Sequence, residues 1–363
     1  MRVLLTGHKG YIGAIAGPIL ISAGHEVIGL DTDLFAGCEF GDGATGIPEI
    51  RKDIRDLTRA DVEGFDAVVH LAALSNDPLG NLDPNLTFDI NHRASVRLAE
   101  LAKQAGAQRF VFSSSCSTYG AAGDGFLDET AALNPVTSYG ESKVLVERDV
   151  ARLADEHSSP TFMRNATAYG ASPSLRLDLV LNDFVASAVT TGRIYIKSDG
   201  TPWRPIVHIR DIVAAMVCVL EAPKNAIHNA TFNVGQTEEN YRISELADIV
   251  AETVPGSRIE YAHGGGPDKR CYRVNCDKVR RVLPRFRPQW TARRGAQELY
   301  DAYRASVLTV EDLNGGRYFR INHIRRLLEA GELDLSLRWK SAVNGSNLHA
   351  SSPATACPAG NVS

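Results

Sequence analysis

Short apolar runs alternate with segments of helical periodicity along about the first 170 residues. Aliphatic runs of about four to eight residues predict buried strands, and apolar residues at three- and four-residue intervals predict amphipathic helices. Strands that alternate with helices are typical of a parallel sheet with helices on both faces, so the sequence predicts a doubly wound α/β fold. The predicted strands are 3–6, 26–31, 49–52, 67–72, 109–114 and 161–164, and the predicted helices are 12–23, 86–105 and 138–156.

The pattern becomes less regular after residue 174, which predicts a smaller C-terminal lobe built from segments that alternate with late elements of the sheet. We place the sheet domain at 1–174, with later sheet elements from about 204–235, and the mainly substrate-binding lobe at 175–340. Residues 341–363 contain no charged residue, and their composition predicts a disordered tail. The later predicted helices are about 182–190, 211–220 and 243–253, and the later strands lie near 194 and at 232–234.

Composition and charge narrow the class of protein. The 363 residues include 39 Lys and Arg against 43 Asp and Glu, so we expect no nucleic-acid partner. No apolar run approaches the roughly 20 residues of a membrane-spanning helix. The N-terminus enters the first predicted strand directly, so we expect no signal peptide, no membrane association and a cytoplasmic location. The six cysteines lack zinc-site spacing, so reduced thiols and no metal site are expected.

A glycine-rich turn follows the first predicted strand. The sequence TGHKGYIG places Gly7, Gly10 and Gly13 between that strand and the first helix. Glycine allows the tight turn and lets backbone N–H groups at the helix N-terminus approach a pyrophosphate. Asp31 ends the next predicted strand 18 residues after Gly13, close to the roughly 20 expected for a carboxylate that binds the adenosine ribose. Together these features predict a Rossmann-type dinucleotide site.

The same region predicts which dinucleotide binds. A carboxylate at Asp31 repels a 2′-phosphate, and no Arg or Lys follows it before Arg51, so we expect NAD rather than NADP. Asp53, just after the third predicted strand, could equally reach the adenine or occupy a solvated turn. The remaining expected cofactor contacts are Tyr11, Ile12, Ile54, Leu71, Ala72, Ala73, Asn91 and Ser113.

A second constellation lies further along the chain. Tyr139 and Lys143 stand at i and i+4 of the predicted helix that begins at residue 138, on one helical face. A phenol has a pKa near 10, and we expect an adjacent ammonium, assisted by a cationic nicotinamide ring, to bring that pKa toward neutrality. Residues 113–115 are serines at the carboxyl end of a predicted strand, where ligands of doubly wound folds bind. A seryl hydroxyl there can share a substrate oxygen with Tyr139.

In this order the motifs resemble the extended short-chain dehydrogenases/reductases, in particular the NAD-dependent epimerase/dehydratase group that acts on nucleotide sugars. The resemblance implies that Ser115 and Tyr139 are catalytic and that Lys143 assists the tyrosine and binds the nicotinamide ribose. It also implies a homodimer formed through the helices at about 86–105 and 138–156. The resemblance spans about residues 1–300, through TGHKGYIG, Asp31, HLAA at 70–73, FSSSCSTYG at 112–120, YGESK at 139–143, AYG at 168–170 and DGTPWRPIVHIRD at 199–211.

The resemblance further implies oxidation of a sugar carbinol, usually at C4, as Tyr139 takes the hydroxyl proton and hydride passes to NAD. The family's dehydratases carry Asp-Glu directly after the catalytic threonine, where this chain has Cys116 and Ser117. Its 3,5-epimerases place a cysteine two residues after the serine, whereas Cys116 is one residue after Ser115 and is expected to be a buried hydrophobe. By elimination we favour a 4-epimerase. An oxidoreductase, decarboxylase or dehydratase acting on a nucleotide sugar or another secondary alcohol, and a nucleotide-sensing protein without turnover, remain alternatives.

Substrate contacts are predicted from the same resemblance. Arg204 aligns with an arginine that contacts substrate phosphate in relatives, and Arg270 is a second candidate for the diphosphate, although either could be a surface ion-pair residue. Where relatives carry Asn two residues before the Tyr-Gly dyad, this chain has Thr167. The other candidate substrate contacts are Ser115, Ser75 in the loop 73–81, Arg176 and Asn182.

Overall fold

A parallel seven-stranded sheet lies at the centre of the protein, whose computed structural model describes residues 1–41, 46–262 and 271–340. Arg270 and the predicted tail 341–363 lie outside the described residues. The strands are β1 (Arg2–Thr6), β2 (Glu26–Asp31), β3 (Glu49–Arg51), β4 (Ala67–His70), β5 (Arg109–Ser115), β6 (Ala121–Leu127), β7 (Ser159–Asn165), β8 (Thr167–Tyr169), β9 (Arg193–Ile196), β10 (Trp203–His208), β11 (Ala230–Val234), β12 (Asn240–Arg242), β13 (Arg258–Tyr261) and β14 (Cys271–Val274).

Helices connect these strands, and no helix among the described residues is both long enough and apolar enough to cross a bilayer. Short 3-10 turns cover Ile54–Asp56, Arg59–Val62 and Cys116–Tyr119, and a π-helical segment covers Phe88–Arg93. The α-helices are α1 (Gly13–Ser22), α2 (Asp77–Gly80), α3 (Pro84–Thr87), α4 (Ala94–Gln104), α5 (Ser138–Ala151), α6 (Val180–Thr191), α7 (Ile209–Glu221), α8 (Lys224–Ile227), α9 (Ile243–Thr253), α10 (Asp277–Val282), α11 (Ala292–Ala305), α12 (Val310–Asn314) and α13 (Arg320–Glu329).

The strand order of the large sheet is β11-β7-β5-β4-β1-β2-β3, with every neighbouring pair parallel. Strands β4 and β7 are buried along their whole length, as expected for central strands of a parallel sheet with both faces covered. The order reverses between β1 and β4, and a crevice opens at the carboxyl ends of the strands at such a switch point. The predicted Rossmann-type fold is confirmed.

Residues after 174 contribute to more than one sheet. Strand β11 joins the large sheet next to β7, whereas β10 pairs with β8 and β12 in a separate three-stranded sheet. Helices α6, α9 and α11 pack around a second apolar core that includes Leu181, Val250 and Leu299. The chain divides into two compact units, Met1–His323 and the residues from Ile324 onward. Within the described part of the second unit, Leu333 and Trp339 form an antiparallel bridge.

Three predicted elements differ from those in the structure. The helix predicted at 86–105 is divided by the π-helical segment, in which the Asn91 side chain accepts from the Leu74 backbone N–H at 2.8 Å and donates to its carbonyl at 3.0 Å. The wider turn of the π-helical segment brings Asn91 to the loop after β4. The spacing of apolar residues in the sequence gives no sign of such a turn. Helix α5 ends at Ala151 instead of 156, and β4 ends at His70 instead of Ala72.

Candidate active site

The turn between β1 and α1 has the shape of a phosphate cradle. Gly7 has a φ of +72°, and a Cβ there would lie 2.7 Å from the backbone nitrogen of Ala72, while a Cβ on Gly13 would lie 2.1 Å from the Gly7 carbonyl oxygen. Ile12 provides no side-chain cap for α1, and the first turn of that helix holds no acidic residue. The N-terminal N–H groups of α1 are therefore suited to an anionic ligand. These residues fit the pyrophosphate of a dinucleotide.

Tyr11 joins this turn to the segment that follows β8. Its hydroxyl donates to the Gly170 carbonyl at 2.7 Å and accepts from the Asn182 amide at 3.0 Å. The same Asn182 side chain accepts from the Gly170 N–H at 3.1 Å and donates to the Arg176 carbonyl at 2.9 Å. The structure thus places Asn182, predicted to face substrate, in a fully buried position where its amide holds neighbouring backbone.

The far end of the crevice is formed by the carboxyl ends of β2 and β3. Asp31 accepts from the backbone N–H groups of Lys9 and Asp33, both at 3.1 Å. Burial raises the pKa of Asp31, against the lowering effect of the nearby His8 charge. Asp53 begins a 3-10 turn and binds the backbone N–H of Arg55 at 2.8 Å and its guanidinium at 2.6 Å, while Ile54 is buried beneath it.

The wall between the two ends is the segment that follows β4, which contains Ala72 and Ala73. The backbone N–H of Leu71 donates to the Thr6 carbonyl at 3.1 Å, and the Thr6 hydroxyl lies 2.6 Å from Nδ1 of His70. Nε2 of His70 lies 2.7 Å from the Ser95 hydroxyl. Burial lowers the pKa of His70 to about 3, so this ring is a neutral part of the wall.

Ser115, Tyr139 and Lys143 come together at the near end. Ser115 ends β5, its hydroxyl accepts from the Ser117 N–H at 3.1 Å, and it lies close enough to the Tyr139 hydroxyl to lower the pKa of that group. The Lys143 ammonium lies 5.7 Å from the centre of the Tyr139 ring and donates to the Ser113 carbonyl at 2.7 Å. Ser113, Ser115, Tyr139 and Lys143, all predicted from the sequence as site residues, therefore lie in one site.

Burial governs the protonation of the phenol and the amine in the protein by itself. It raises the pKa of Tyr139 to about 12, although the charge of Arg176 and the hydrogen bond from Ser115 act in the opposite direction. It lowers the pKa of Lys143 to about 7, against the raising effect of Glu147. In the protein without its dinucleotide, burial disfavours both charged forms, and the prediction that Lys143 and a cationic nicotinamide ring together bring the phenol toward neutrality stays a prediction.

A buried ion pair beneath this site was not predicted from the sequence. Glu147 of α5 binds Arg164 of β7 at 2.7 Å, with both side chains less than a tenth exposed. Glu147 also accepts from the Ser114 hydroxyl at 2.5 Å, and Arg164 donates to the Tyr119 hydroxyl at 3.0 Å. The sequence holds one signal for Glu147: residues 139, 143 and 147 follow one another at four-residue intervals and therefore lie on one face of the helix.

The two positions after Ser115 carry no acid or base suited to elimination. Cys116 opens a 3-10 turn rather than continuing the strand, is fully buried, and donates from Sγ to the Arg164 carbonyl at 3.1 Å. Burial raises the pKa of its thiol above the usual range. The Ser117 hydroxyl is buried without a hydrogen-bond partner among the described residues. In that part of the chain no group of three or more His, Cys, Asp or Glu side chains could hold a metal ion.

Comparison with known proteins identifies the family. The sequence pattern of the NAD dependent epimerase/dehydratase family matches residues 3–235. The chain belongs to this family. It is 30% identical to a UDP-glucose 4-epimerase of Lactobacillus helveticus over 78% of this chain and 91% of that protein. It is 25% identical to UDP-glucuronic acid decarboxylase 1 of Arabidopsis thaliana over 87% of this chain and 72% of that protein.

The fold has solved counterparts. The structure of MoeE5 in complex with UDP-glucuronic acid and NAD superposes with a TM-score of 0.73 at 27% identity, covering 84% of this chain and all of that one. That structure contains NAD, which fits the phosphate cradle after β1 and the Asp31 carboxylate of this chain. The protein is an NAD-dependent enzyme of the epimerase/dehydratase family.

Besides Ser115, the structure brings two of the predicted substrate residues together on the side of Tyr139. Arg176 is buried, donates to the Ser75 hydroxyl at 3.2 Å, pairs with Asp178 at 2.7 Å, and its charge acts on the Tyr139 hydroxyl. Thr167 and Arg204 lie instead on β8 and β10 of the three-stranded sheet, where the Arg204 guanidinium donates to the Trp203 carbonyl at 2.8 Å.

Proposed function

We propose that this enzyme is a nucleotide-sugar 4-epimerase. The observation that carries the proposal is the minimal acid–base set: the Ser115 and Tyr139 side chains lie together beside Lys143, while Cys116 is buried in apolar surroundings. A 4-epimerase oxidises one carbon and reduces the same carbon from its other face. It therefore needs one proton-transfer residue and no second acid–base pair.

The proposed chemistry assigns one task to each residue. When bound, NAD supplies a reversible acceptor for the hydrogen and electron pair of the sugar carbon. Tyr139 takes the proton of the C4 hydroxyl and returns it to the ketone oxygen after the sugar has turned over. Ser115 holds that oxygen by a hydrogen bond, and the Lys143 ammonium favours the phenolate. Gly7, Gly10 and Gly13 cradle the pyrophosphate, and Asp31 binds the adenosine ribose.

The substrate class is a nucleoside-diphosphate sugar. The Arg176 charge acts on Tyr139, and its guanidinium would exchange its Asp178 and Ser75 partners for phosphate oxygens when the substrate binds. Arg suits a diphosphate because its planar fork of donors matches phosphate oxygens. The names of the relatives favour uridine diphosphate as the nucleotide. Thr167, Asn182, Arg204 and Arg270 remain proposed substrate residues of lower rank.

The test is product analysis by NMR with UDP-hexoses and UDP-glucuronic acid deuterated at C4. We expect interconversion of the C4 epimers, with deuterium retained at C4 and no accumulation of NADH, because an epimerase returns the same hydrogen. The absence of any epimer from all UDP sugars and from the corresponding GDP, CDP and dTDP sugars would overturn the proposal.

The same assay reports on the alternatives. One relative is a decarboxylase, so UDP-glucuronic acid is the substrate that separates the two activities: a decarboxylase converts it to a UDP-pentose, with loss of carbon dioxide. An oxidoreductase accumulates NADH in proportion to product. Either result would replace the epimerase assignment while leaving the Ser115, Tyr139 and Lys143 site in place.

We further propose a cytoplasmic homodimer. Helices α4 and α5 leave Val96, Val144 and Leu145 only half-buried in a single chain, as side chains at a helix-pair interface would be. The described cysteines form no disulfide, as in proteins of reducing compartments. Light scattering after size-exclusion chromatography should give twice the mass of one chain, and a monomer would contradict the interface.

A further inference from the structure

Two cations flank the site expected for the adenosine ribose. The Lys9 ammonium lies 2.7 Å from the Asp33 carboxylate, and Nε of Arg51 lies 3.1 Å from the same carboxylate. Lys9 also pairs with Glu49 at 2.8 Å, and Glu49 lies 2.9 Å from Nε2 of His8. The adenosine end of the crevice is therefore a cluster of ion pairs around Asp33.

Chain geometry explains why these groups meet. Lys9 lies in the glycine-rich turn, and Arg51 is the register partner of Asp31 across β2 and β3. Asp33 has a φ of 59°, and its N–H donates to the Asp31 carboxylate at 3.1 Å. The left-handed conformation turns the chain sharply just after β2, and the Asp33 side chain is only 11% exposed between its two partners.

The two carboxylates have different surroundings. The Asp31 carboxylate accepts from two backbone N–H groups, and its oxygens have further lone pairs that can accept from ribose hydroxyls. Asp33 instead is paired with the two cations. Hydrogen bonds to Asp33 and Glu49 outweigh the lowering effect of burial and raise the pKa of Lys9, so Lys9 is a cation at neutral pH.

A 2′-phosphate would be affected by all of these charges. Its charge of about −2 requires nearby cations, and Arg and Lys are the residues that provide them. In this enzyme both nearby cations are paired with Asp33, and Asp33 adds a negative charge of its own. The phosphate of NADP would meet repulsion where it needs two free donors.

We propose that Asp33 is a specificity-determining residue, which excludes NADP by pairing with Lys9 and Arg51 beside the ribose-binding Asp31. Without the Asp33 charge, Arg51 loses its carboxylate partner and Lys9 keeps only Glu49, so both cations can attract a 2′-phosphate. The inference rests on the dinucleotide site of the proposed function, and it concerns binding rather than the sugar chemistry.

The experiment measures binding of NADH and NADPH by nicotinamide fluorescence to protein freed of bound nucleotide. Asp33→Asn should strengthen NADPH binding by about tenfold or more, since charge-assisted bonds to a phosphate are strong, and should change NADH binding by less than about threefold. In the Asp33→Asn background, the second substitution Arg51→Met should remove most of the gain in NADPH affinity. Asp128→Asn, in the turn after β6, changes net charge equally and should leave the NADPH-to-NADH ratio unchanged.

The outcomes are separable. If Asp33→Asn binds both nucleotides with the wild-type ratio, the proposal is overturned. If the wild-type protein binds neither nucleotide, the dinucleotide site itself is wrong, which is a different failure. Should Asp33→Asn not fold, Arg51→Met in the wild-type background decides: weakening of NADPH binding by less than about twofold supports a cation already paired with Asp33, and a larger loss contradicts it.

Discussion

The two ends of the cofactor crevice hold their charges in different surroundings. At the chemical end, the Glu147–Arg164 pair is less than a tenth exposed. At the adenosine end, the side chain of Lys9 is 41% exposed and that of Arg51 is 55% exposed. Burial accordingly shifts the pKa values of Tyr139 and Lys143 strongly at the first end, whereas at the second end the two carboxylates outweigh burial and raise the pKa of Lys9.

The difference indicates what each set of charges can do. A buried charge that loses its partner is costly. The Glu147–Arg164 pair lies beneath the residues proposed to transfer the proton, so a change in this pair affects both stability and turnover. An exposed pair contributes little to stability, so the adenosine end can change its charges and alter ligand choice without unfolding the protein. Substitutions at the first end should therefore affect both folding and turnover, and substitutions at the second should affect binding selectivity.

The largest expected effect is on turnover. Tyr139→Phe removes the proton-transfer hydroxyl and should lower the rate of epimerisation by about 10³-fold, within the range typical of general acid–base residues. Binding of NADH should be unchanged, because the ring and the helix remain. Tyr195→Phe, at an exposed position on β9, is the matched control. Turnover of the Tyr139→Phe variant within about tenfold of wild type would remove tyrosine from the mechanism.

The next effect compares the two ends directly. Glu147→Gln leaves the Arg164 guanidinium buried without a counter-charge and should lower the free energy of unfolding by about 3–5 kcal/mol. Glu49→Gln makes the same chemical change at the adenosine end and should cost at most about 1 kcal/mol. Urea unfolding of both variants checks the comparison, and equal losses would show that burial does not separate the two ends.

A smaller effect concerns pH. The pKa of Lys143 is lowered from its ordinary 10.5 to about 7, chiefly by burial, so between these values the unfolded chain binds more protons at this amine than the folded protein. Raising the pH through that window therefore stabilises the protein, by up to about 1.4 kcal/mol per pH unit. Lys143→Met lacks this group.

Urea midpoints of wild type and Lys143→Met at about pH 7 and pH 9 test the linkage. The stability of wild type relative to the variant should rise with pH, because the other titrating groups are common to both proteins and cancel. Parallel pH dependences would mean that the Lys143 amine keeps its ordinary pKa in the folded protein.

Features that depend on local spacing were predictable from the sequence. The glycine-rich turn, the position of Asp31 and the pairing of Tyr139 with Lys143 follow from strand and helix periods, which fix where nearby residues point. The strand and helix pattern likewise predicted the parallel sheet. For such features a short segment carries the whole signal.

Features that depend on contacts between distant segments were not predictable. Arg164 meets Glu147 because β7 lies beside β5 under α5, and Arg51 meets Asp33 because β3 pairs in register with β2. In the sequence Arg51 is only the first basic residue after Asp31, and no local pattern marks Lys9 as a partner of Asp33. The direction of the Tyr139 pKa could likewise be inferred only from the fold. Burial raises this pKa, whereas the helical spacing of Tyr139 and Lys143 suggested that it is lowered.

The smallest expected effect concerns Asp53, for which the sequence allowed either an adenine contact or a turn. Its carboxylate is bound by the backbone and guanidinium of Arg55, whose side chain is 7% exposed. Asp53→Asn keeps an oxygen for the backbone bond, and the buried Arg55 guanidinium still has the Asp89 carboxylate at 3.7 Å. We therefore expect a stability loss of about 1–2 kcal/mol, smaller than that of Glu147→Gln. NADH affinity should change by less than about twofold, whereas a tenfold loss, which corresponds to a charged hydrogen bond, would place the carboxylate on the adenine.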